Sequence, residues 1–224
     1  MWKDAIEQHG YFVFSSRFSS QELRPLQDAF GGIKRSRAGI RHALKIEAVA
    51  SIARDPRLFE IAKEVLGGAV VPYHATLFEK SPDANWLVVW HQDTALPLRE
   101  RKEGDSWGPW SVKEGITYAH APAAALSKVL ALRLHLDDSK KENGPLRVLP
   151  GTHNLGVLTD DALHDLSQKI SPIDCISGKG GVVAMRPLLV HSSSKSLNDA
   201  PRGVLHIEYA ASLEIESGFH LAIA

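Results

Sequence analysis

The segment Trp90-His91-Gln92-Asp93 carries an imidazole and a carboxylate two residues apart. Side chains alternate between the faces of an extended strand, so His91 and Asp93 project to one side and can share a metal ion. A distant histidine, His191, can supply the third ligand. Two histidines and one carboxylate make the facial triad of non-haem iron(II) oxygenases, which leaves coordination positions open for a co-substrate and O2. A bare His-x-Asp tripeptide carries little alone, and the second half of the chain strengthens it. There an apolar strand, a proline turn and an apolar approach run from Gly180 to His191, which sets that imidazole at the mouth of a barrel. Arg202 opens the next strand, and its guanidinium is the fork-shaped donor that a dicarboxylate needs at its far end.

The elements that must position these residues divide the chain of 224 residues into a helical start and a strand-rich remainder within one domain, 1–224. Up to about residue 68 the pattern is mainly helical. Residues 1–10 read as a short helix ended by Gly10, and Tyr11-Phe12-Val13-Phe14 as a strand. Ser19 and Glu22 form a capping-box pattern for a helix running to about Phe30. Helices are also expected over Lys45 to Ala53 and over Pro56 to Leu66, the latter with Asp55 as N-cap. The basic run Lys34 to His42 reads as a solvated loop near a binding face, with contact to an anionic substrate as the alternative. From about 69 to 212 the texture is that of strands. They are expected at Val70 to Phe78, Trp86 to Trp90, Val129 to Leu136, Leu146 to Leu149, Ile173 to Ile176, Gly181 to Met185, Leu188 to Val190 and Arg202 to Ala211. A connecting helix covers Asp160 to Lys169, and Glu214 to Ala224 is a tail packed on the outside. About eight strands after a helical third give a mainly β fold with helices (α+β), a jelly-roll, cupin-like core buttressed by the N-terminal helices.

Residues 94–127 form a long segment directly after two candidate ligands. Its aromatics Trp107, Trp110 and Tyr118 suit a lid loop over the site. In Val129 to Leu136 the leucines alternate with Arg133 and His135. If the polar face looks into the barrel, Arg133 is a second buried cation, which an anionic ligand or a neighbouring acid would have to offset.

Composition narrows the function classes. Lysine plus arginine equals aspartate plus glutamate, 26 each, so no basic footprint favours nucleic acid or an anionic membrane. Charges occupy the N-terminus where a signal peptide needs its apolar core, and no apolar run approaches a membrane span. The expected location is the cytoplasm and the expected partner a small molecule. The single cysteine, Cys175, excludes an internal disulfide or a cysteine-rich metal site and reads as a small buried strand residue.

Three ordered motifs then match a known family. Trp90-His91-Gln92-Asp93, Asn143-Gly144-Pro145-Leu146-Arg147-Val148-Leu149-Pro150-Gly151-Thr152-His153, and Arg186-Pro187-Leu188-Leu189-Val190-His191-Ser192-Ser193-Ser194 with Arg202 together resemble the phytanoyl-CoA dioxygenase family. The opening Gly10 to Phe14 and Ser20 to Leu23 is similar to that family's N-terminal pattern. The resemblance implies a double-stranded β-helix using Fe(II), 2-oxoglutarate and O2. It implies His91, Asp93 and His191 as iron ligands and Arg202 as partner of the distal 2-oxoglutarate carboxylate. It further implies His74, Arg133 and Ser193 as co-substrate contacts. Val204, two residues after Arg202, departs from the serine that many superfamily members carry there. Halogenating relatives lack the triad carboxylate, and this chain keeps Asp93, so hydroxylation of an unactivated C–H bond with release of succinate and CO2 is expected. Desaturation or cyclisation would use the same oxidant. Two other readings are a cupin-like metal oxygenase working without 2-oxoglutarate and a non-catalytic ligand-binding barrel. Arg202 at its spacing disfavours the first, and the intact triad the second.

Overall fold

The computed structural model describes residues 1–31, 39–81 and 85–224. Most of the basic run Lys34 to His42 and the centre of the turn at 82–84 therefore lie outside the described residues. The first helix, α1 (Trp2–His9), ends at Gly10, whose left-handed backbone (φ 84°) and contact with the His153 ring leave no room for a Cβ. Strand β1 (Tyr11–Phe14) follows. The Ser19 and Glu22 capping pair forms, with the Ser19 hydroxyl 2.7 Å from Glu22 Oε2. The regular helix nevertheless begins later than expected, as α2 (Arg24–Gly31). Helices α3 (Glu47–Ala53) and α4 (Pro56–Leu66) agree with the sequence, and Asp55 caps α4 by accepting from the Arg57 amide.

Strands β2 (Val71–Lys80), β3 (Val88–His91), β4 (Ala95–Leu98), β5 (Trp110–Lys113) and β6 (Ile116–His120) come next, then a short α5 (Ala123–Leu126) and β7 (Val129–His135). The chain continues through β8 (Leu146–Val148), α6 (Asp160–Lys169), β9 (Ile173–Cys175), β10 (Val182–Met185), β11 (His191–Ser193) and β12 (Arg202–Ala210). It ends with the small hairpin β13 (Glu214–Glu216) and β14 (Phe219–His220). Leu188 to Val190, expected as a strand, is instead the approach to β11.

Two antiparallel sheets build the core. The larger has the order β1-β10-β7-β12-β2 and the smaller β3-β11-β8-β9. The leucines of β7 at 130, 132 and 134, and Leu136 just beyond it, turn outward onto Leu26, Phe30, Leu58 and Ile61 of the helices. Each such burial contributes about 1.5–3 kcal/mol, enough to fix the helices on that face. Arg133 therefore looks inward between the sheets, which settles the face that the alternation left open. Cys175 is buried with Leu146 and Met185 between the sheets. Burial pushes its thiol up to about 12.

The segment expected as a lid loop is largely ordered as a third sheet, β4-β6-β5. Its strands are only four or five residues long, and the charged run Arg99 to Glu103 hides them in the sequence. The tail does more than cover the outside. Ala224 exchanges backbone hydrogen bonds with Tyr73 and Ala75, and Ile40 does so with Leu77, so both segments seal the edge of β2. No helix among the described residues is long and apolar enough to cross a membrane.

Candidate metal and co-substrate site

The smaller sheet brings the triad together. His91 on β3 and His191 on β11 are direct cross-strand partners, with ring centroids 4.2 Å apart. Asp93, just past β3, faces both: Oδ1 is 3.7 Å from His91 Nε2 and Oδ2 is 3.5 Å from His191 Nε2. Each imidazole donates Nδ1–H to a backbone carbonyl two residues earlier, that of Val89 at 2.9 Å and Leu189 at 2.8 Å. These bonds fix the tautomers and leave both Nε2 lone pairs aimed at the carboxylate. Burial, and then His91, push His191 down to about 3. Burial raises the Asp93 carboxyl, but His191 and then His91 outweigh it and hold the group at about 2. Neutral imidazole and ionised carboxylate are the forms that bind metal. Three lone-pair donors converge within 4.8 Å of one another, and a divalent cation fits that set.

Neighbouring motifs hold the triad in place. The Gln92 side chain donates to Gly156 O (2.9 Å) and Leu188 O (2.7 Å) and accepts from the Leu158 amide (2.8 Å). It thereby ties the β3 end to the approach to His191. Thr152 Oγ1 donates to Leu149 O and accepts from the Val190 amide, which explains the Pro-Gly-Thr-His signature before that approach.

A cavity of about 430 Å³ opens beside the triad. At one end Arg202 and Lys80 face each other across β12 and β2. Lys80 Nζ donates to Ser193 Oγ at 2.8 Å and to Ser194 O, and Arg202 Nη2 reaches the same serine at 3.4 Å. The Ser193 hydroxyl in turn donates to Gly144 O at 2.8 Å. A Cβ on Gly144 would lie 2.3 Å from Ser194 O and 3.1 Å from Lys80 Nζ, which accounts for the glycine of the Asn-Gly-Pro turn. Arg133 is buried nearby and donates to His206 Nδ1 at 2.9 Å. Among the described residues all three cations bond only to neutral groups, and Nε of Arg133 and of Arg202 has no partner there. Burial, then Arg202, push Lys80 down to about 7. Burial, then Arg133, push Arg202 to about 9. Buried cations without acids are costly unless an anion is bound among them.

His74 lies elsewhere. It is opposite Glu208 at the other end of the β2–β12 pair, with Nδ1 2.5 Å from Glu208 Oε2 and Nε2 3.2 Å from the Tyr118 hydroxyl. Tyr118 lines the cavity. Trp107 and Trp110 do not. Trp107 stacks on Phe219 at 4.2 Å and donates to Glu216, while Arg101 covers Trp110. Sequence reasoning missed Lys80, Gln92, Glu208 and Lys113. Lys80 continues the alternation His74, Thr76, Phe78 on β2, and Glu208 continues Arg202, His206 on β12, so the period of two was the available signal.

The family model for phytanoyl-CoA dioxygenase (PhyH) matches residues 6–204. The chain belongs to that family. It is a family of Fe(II)- and 2-oxoglutarate-dependent oxygenases, which sets the cofactors as iron and 2-oxoglutarate and the oxidant as O2. The L-proline trans-4-hydroxylase of Streptomyces griseoviridis is 29% identical over 73% of this chain, a match spanning 63% of that enzyme's length. The ectoine dioxygenase of Sphingopyxis alaskensis is 23% identical over 96% of this chain and 77% of its own. The crystal structure of EctD from S. alaskensis with 2-oxoglutarate and 5-hydroxyectoine superimposes with a TM-score of 0.70 at 20% identity, covering 93% of this chain and 74% of that one. The epimerase SnoN with Fe3+, α-ketoglutarate and nogalamycin RO gives 0.71 at 17% identity, covering 95% and 83%. The shared fold is the double-stranded β-helix expected from the sequence.

Proposed function

We propose that the protein hydroxylates an unactivated C–H bond of a small molecule, with release of succinate and CO2. The observation that carries this reading is the juxtaposition of an oriented His91, Asp93 and His191 triad with a buried cluster of cations that has no acid hydrogen-bonded to it among the described residues. The triad would hold iron(II). Arg202, Lys80 and Ser193 would take the distal carboxylate of 2-oxoglutarate, with Arg133 adding positive potential beneath the co-substrate. His74, first assigned to the co-substrate, is proposed instead for the substrate side, together with Tyr118. It stands six strand residues from Lys80, about 20 Å at ~3.3 Å per residue, which a five-carbon diacid does not span. Trp107 and Trp110 are proposed to brace the tail rather than touch substrate.

Iron(II) held by His91, Asp93 and His191, with 2-oxoglutarate held at Arg202, Lys80 and Ser193, would supply the oxidising chemistry. The chain's residues bind, orient and exclude water. Gln92 and Thr152 keep the two ligand-bearing segments in register, and the β4-β6-β5 sheet walls one side of the cavity. Two relatives named for hydroxylation or dioxygenation of small molecules support the class.

The test is an anaerobic titration of 2-oxoglutarate into Fe(II)-loaded protein, following the visible charge-transfer band of the chelated co-substrate. The expected band weakens in Arg202→Ala and vanishes in His191→Ala. No band in iron-replete wild type would overturn the assignment.

A further inference from the structure

The cavity is a trough with chemically different ends. Alternate residues of β2, from His74 through Thr76 and Phe78 to Lys80, line it, and β12 lies antiparallel with Glu208 opposite His74 and Arg202 opposite Lys80. Under the reading just given, the co-substrate occupies the Lys80 and Arg202 end. Two further cations then remain at the other end. Arg41 and Lys113 both line the cavity. Lys113 Nζ sits 4.7 Å above the Tyr118 ring and has no carboxylate partner among the described residues. Among the described residues Arg41 has one acidic partner, the exposed Glu114, at a long 3.6 Å.

The facing wall carries the opposite charge. Glu208 is buried and accepts from Tyr73 Oη at 3.2 Å and from His74 at 2.5 Å, one bond on each oxygen. A carboxylate has about four acceptor sites, so roughly two remain on a group that faces the cavity. Behind it, His74 Nε2 lies 3.2 Å from the Tyr118 hydroxyl, which lies 3.0 Å from His42 Nε2. His42, Tyr118, His74 and Glu208 thus form one hydrogen-bonded line that fixes the carboxylate in the wall. Tyr118 joins the two poles, with its ring under Lys113 and its hydroxyl on the imidazole that holds Glu208. The Tyr118 and His74 rings that lie between the poles are 6.1 Å apart.

We infer that the substrate is a small zwitterion, its carboxylate taken by Arg41 and Lys113 and its ammonium by Glu208. A neutral substrate would leave Lys113 without an opposite charge and the open acceptor sites of Glu208 unused. This inference rests on the cofactor reading above, and the experiment separates the two.

Anaerobic protein loaded with Fe(II) and 2-oxoglutarate is screened by thermal shift against the standard amino acids, including L-proline. Each hit is compared with its N-acetyl derivative, which lacks the cation, and its amide, which lacks the anion. The expected result is binding of at least one zwitterion, weakened roughly tenfold or more by either modification, about 1.4 kcal/mol per tenfold step. Lys113→Met and Arg41→Met are each expected to weaken the zwitterion roughly tenfold and to leave its amide unaffected. Glu208→Gln, which keeps the shape of the wall, weakens the zwitterion but spares the N-acetyl compound. In all three variants the 2-oxoglutarate band persists. A normal band with no zwitterion bound, or with the amide or N-acetyl form bound as tightly as its parent, overturns the inference while leaving the cofactor reading intact. Loss of the band in wild type would instead strike at the cofactor reading.

Discussion

Lys80 and Arg202 are direct cross-strand partners on β2 and β12, and both cations end on one hydroxyl, that of Ser193. Like charges this close repel, and a dianionic co-substrate turns the repulsion into a binding site. Lys80→Met should therefore raise the Kd for 2-oxoglutarate by roughly ten- to a hundredfold, in line with about 1.5–3 kcal/mol for a charge-assisted bond. Lys80→Arg should recover part of that loss. Titration of the charge-transfer band measures both.

Lys80 also sets a pH dependence. Its folded value of about 7 lies below the ordinary 10.5, so between those values the unfolded chain binds the extra proton and stability rises with pH. The stability penalty is fully present below pH 7 and relieved above it. The charged group facing Lys80 is Arg202, which stays protonated to about 9. Apo wild type should gain melting temperature from pH 7 to 9 relative to Lys80→Met. The affinity for 2-oxoglutarate should fall over the same window as the ammonium is lost. Thermal melts of both proteins across the range would show a parallel pair of curves if Lys80 were not the cause.

Gly144 is predicted to tolerate no side chain. Its backbone is left-handed (φ 67°) and a Cβ would meet Ser194 O. Gly144→Ala should cost about 1–3 kcal/mol of stability and displace the Lys80 contact. Denaturant unfolding reports the first effect, and a weaker 2-oxoglutarate band the second.

Gln92 should matter as a brace for the metal ligands. Its three bonds join the His91 and Asp93 segment to the approach to His191. Gln92→Leu leaves those backbone groups unpaired, at about 2–4 kcal/mol for the set. Iron affinity should drop, because Asp93 and His191 lose their common brace. A chelator competition assay that found unchanged affinity would count against this role.

How far the sequence could be read depended on which pattern carried each residue. That His91, Asp93, His191 and Arg202 would line one cavity was legible because strand alternation and motif order both point to it, and the leucine alternation of β7 marked the sheet that meets the helices. Lys80 was missed because the apolar run stops at Phe78, whereas pairing with β12 carries the strand through Glu79 and Lys80. That partner is distant in sequence, so no local signal reports it. The lid strands failed for a related reason. Four-residue strands gain their order from neighbours, not from their own composition. Trp107 and Trp110 looked like substrate aromatics, yet Trp107 packs against Phe219 of a tail whose fold the sequence does not announce.

The burial of Cys175 bears on endurance. An oxygenase that fires without a substrate in position endangers its own most oxidisable side chains, and reactive sulfur is attacked as the exposed thiolate. Here the sole thiol of the chain is sealed between the sheets and held protonated up to about pH 12. Wasted turnovers are therefore expected to scar the aromatic and imidazole walls of the cavity, above all Tyr118 and His74, while the thiol survives them unmodified.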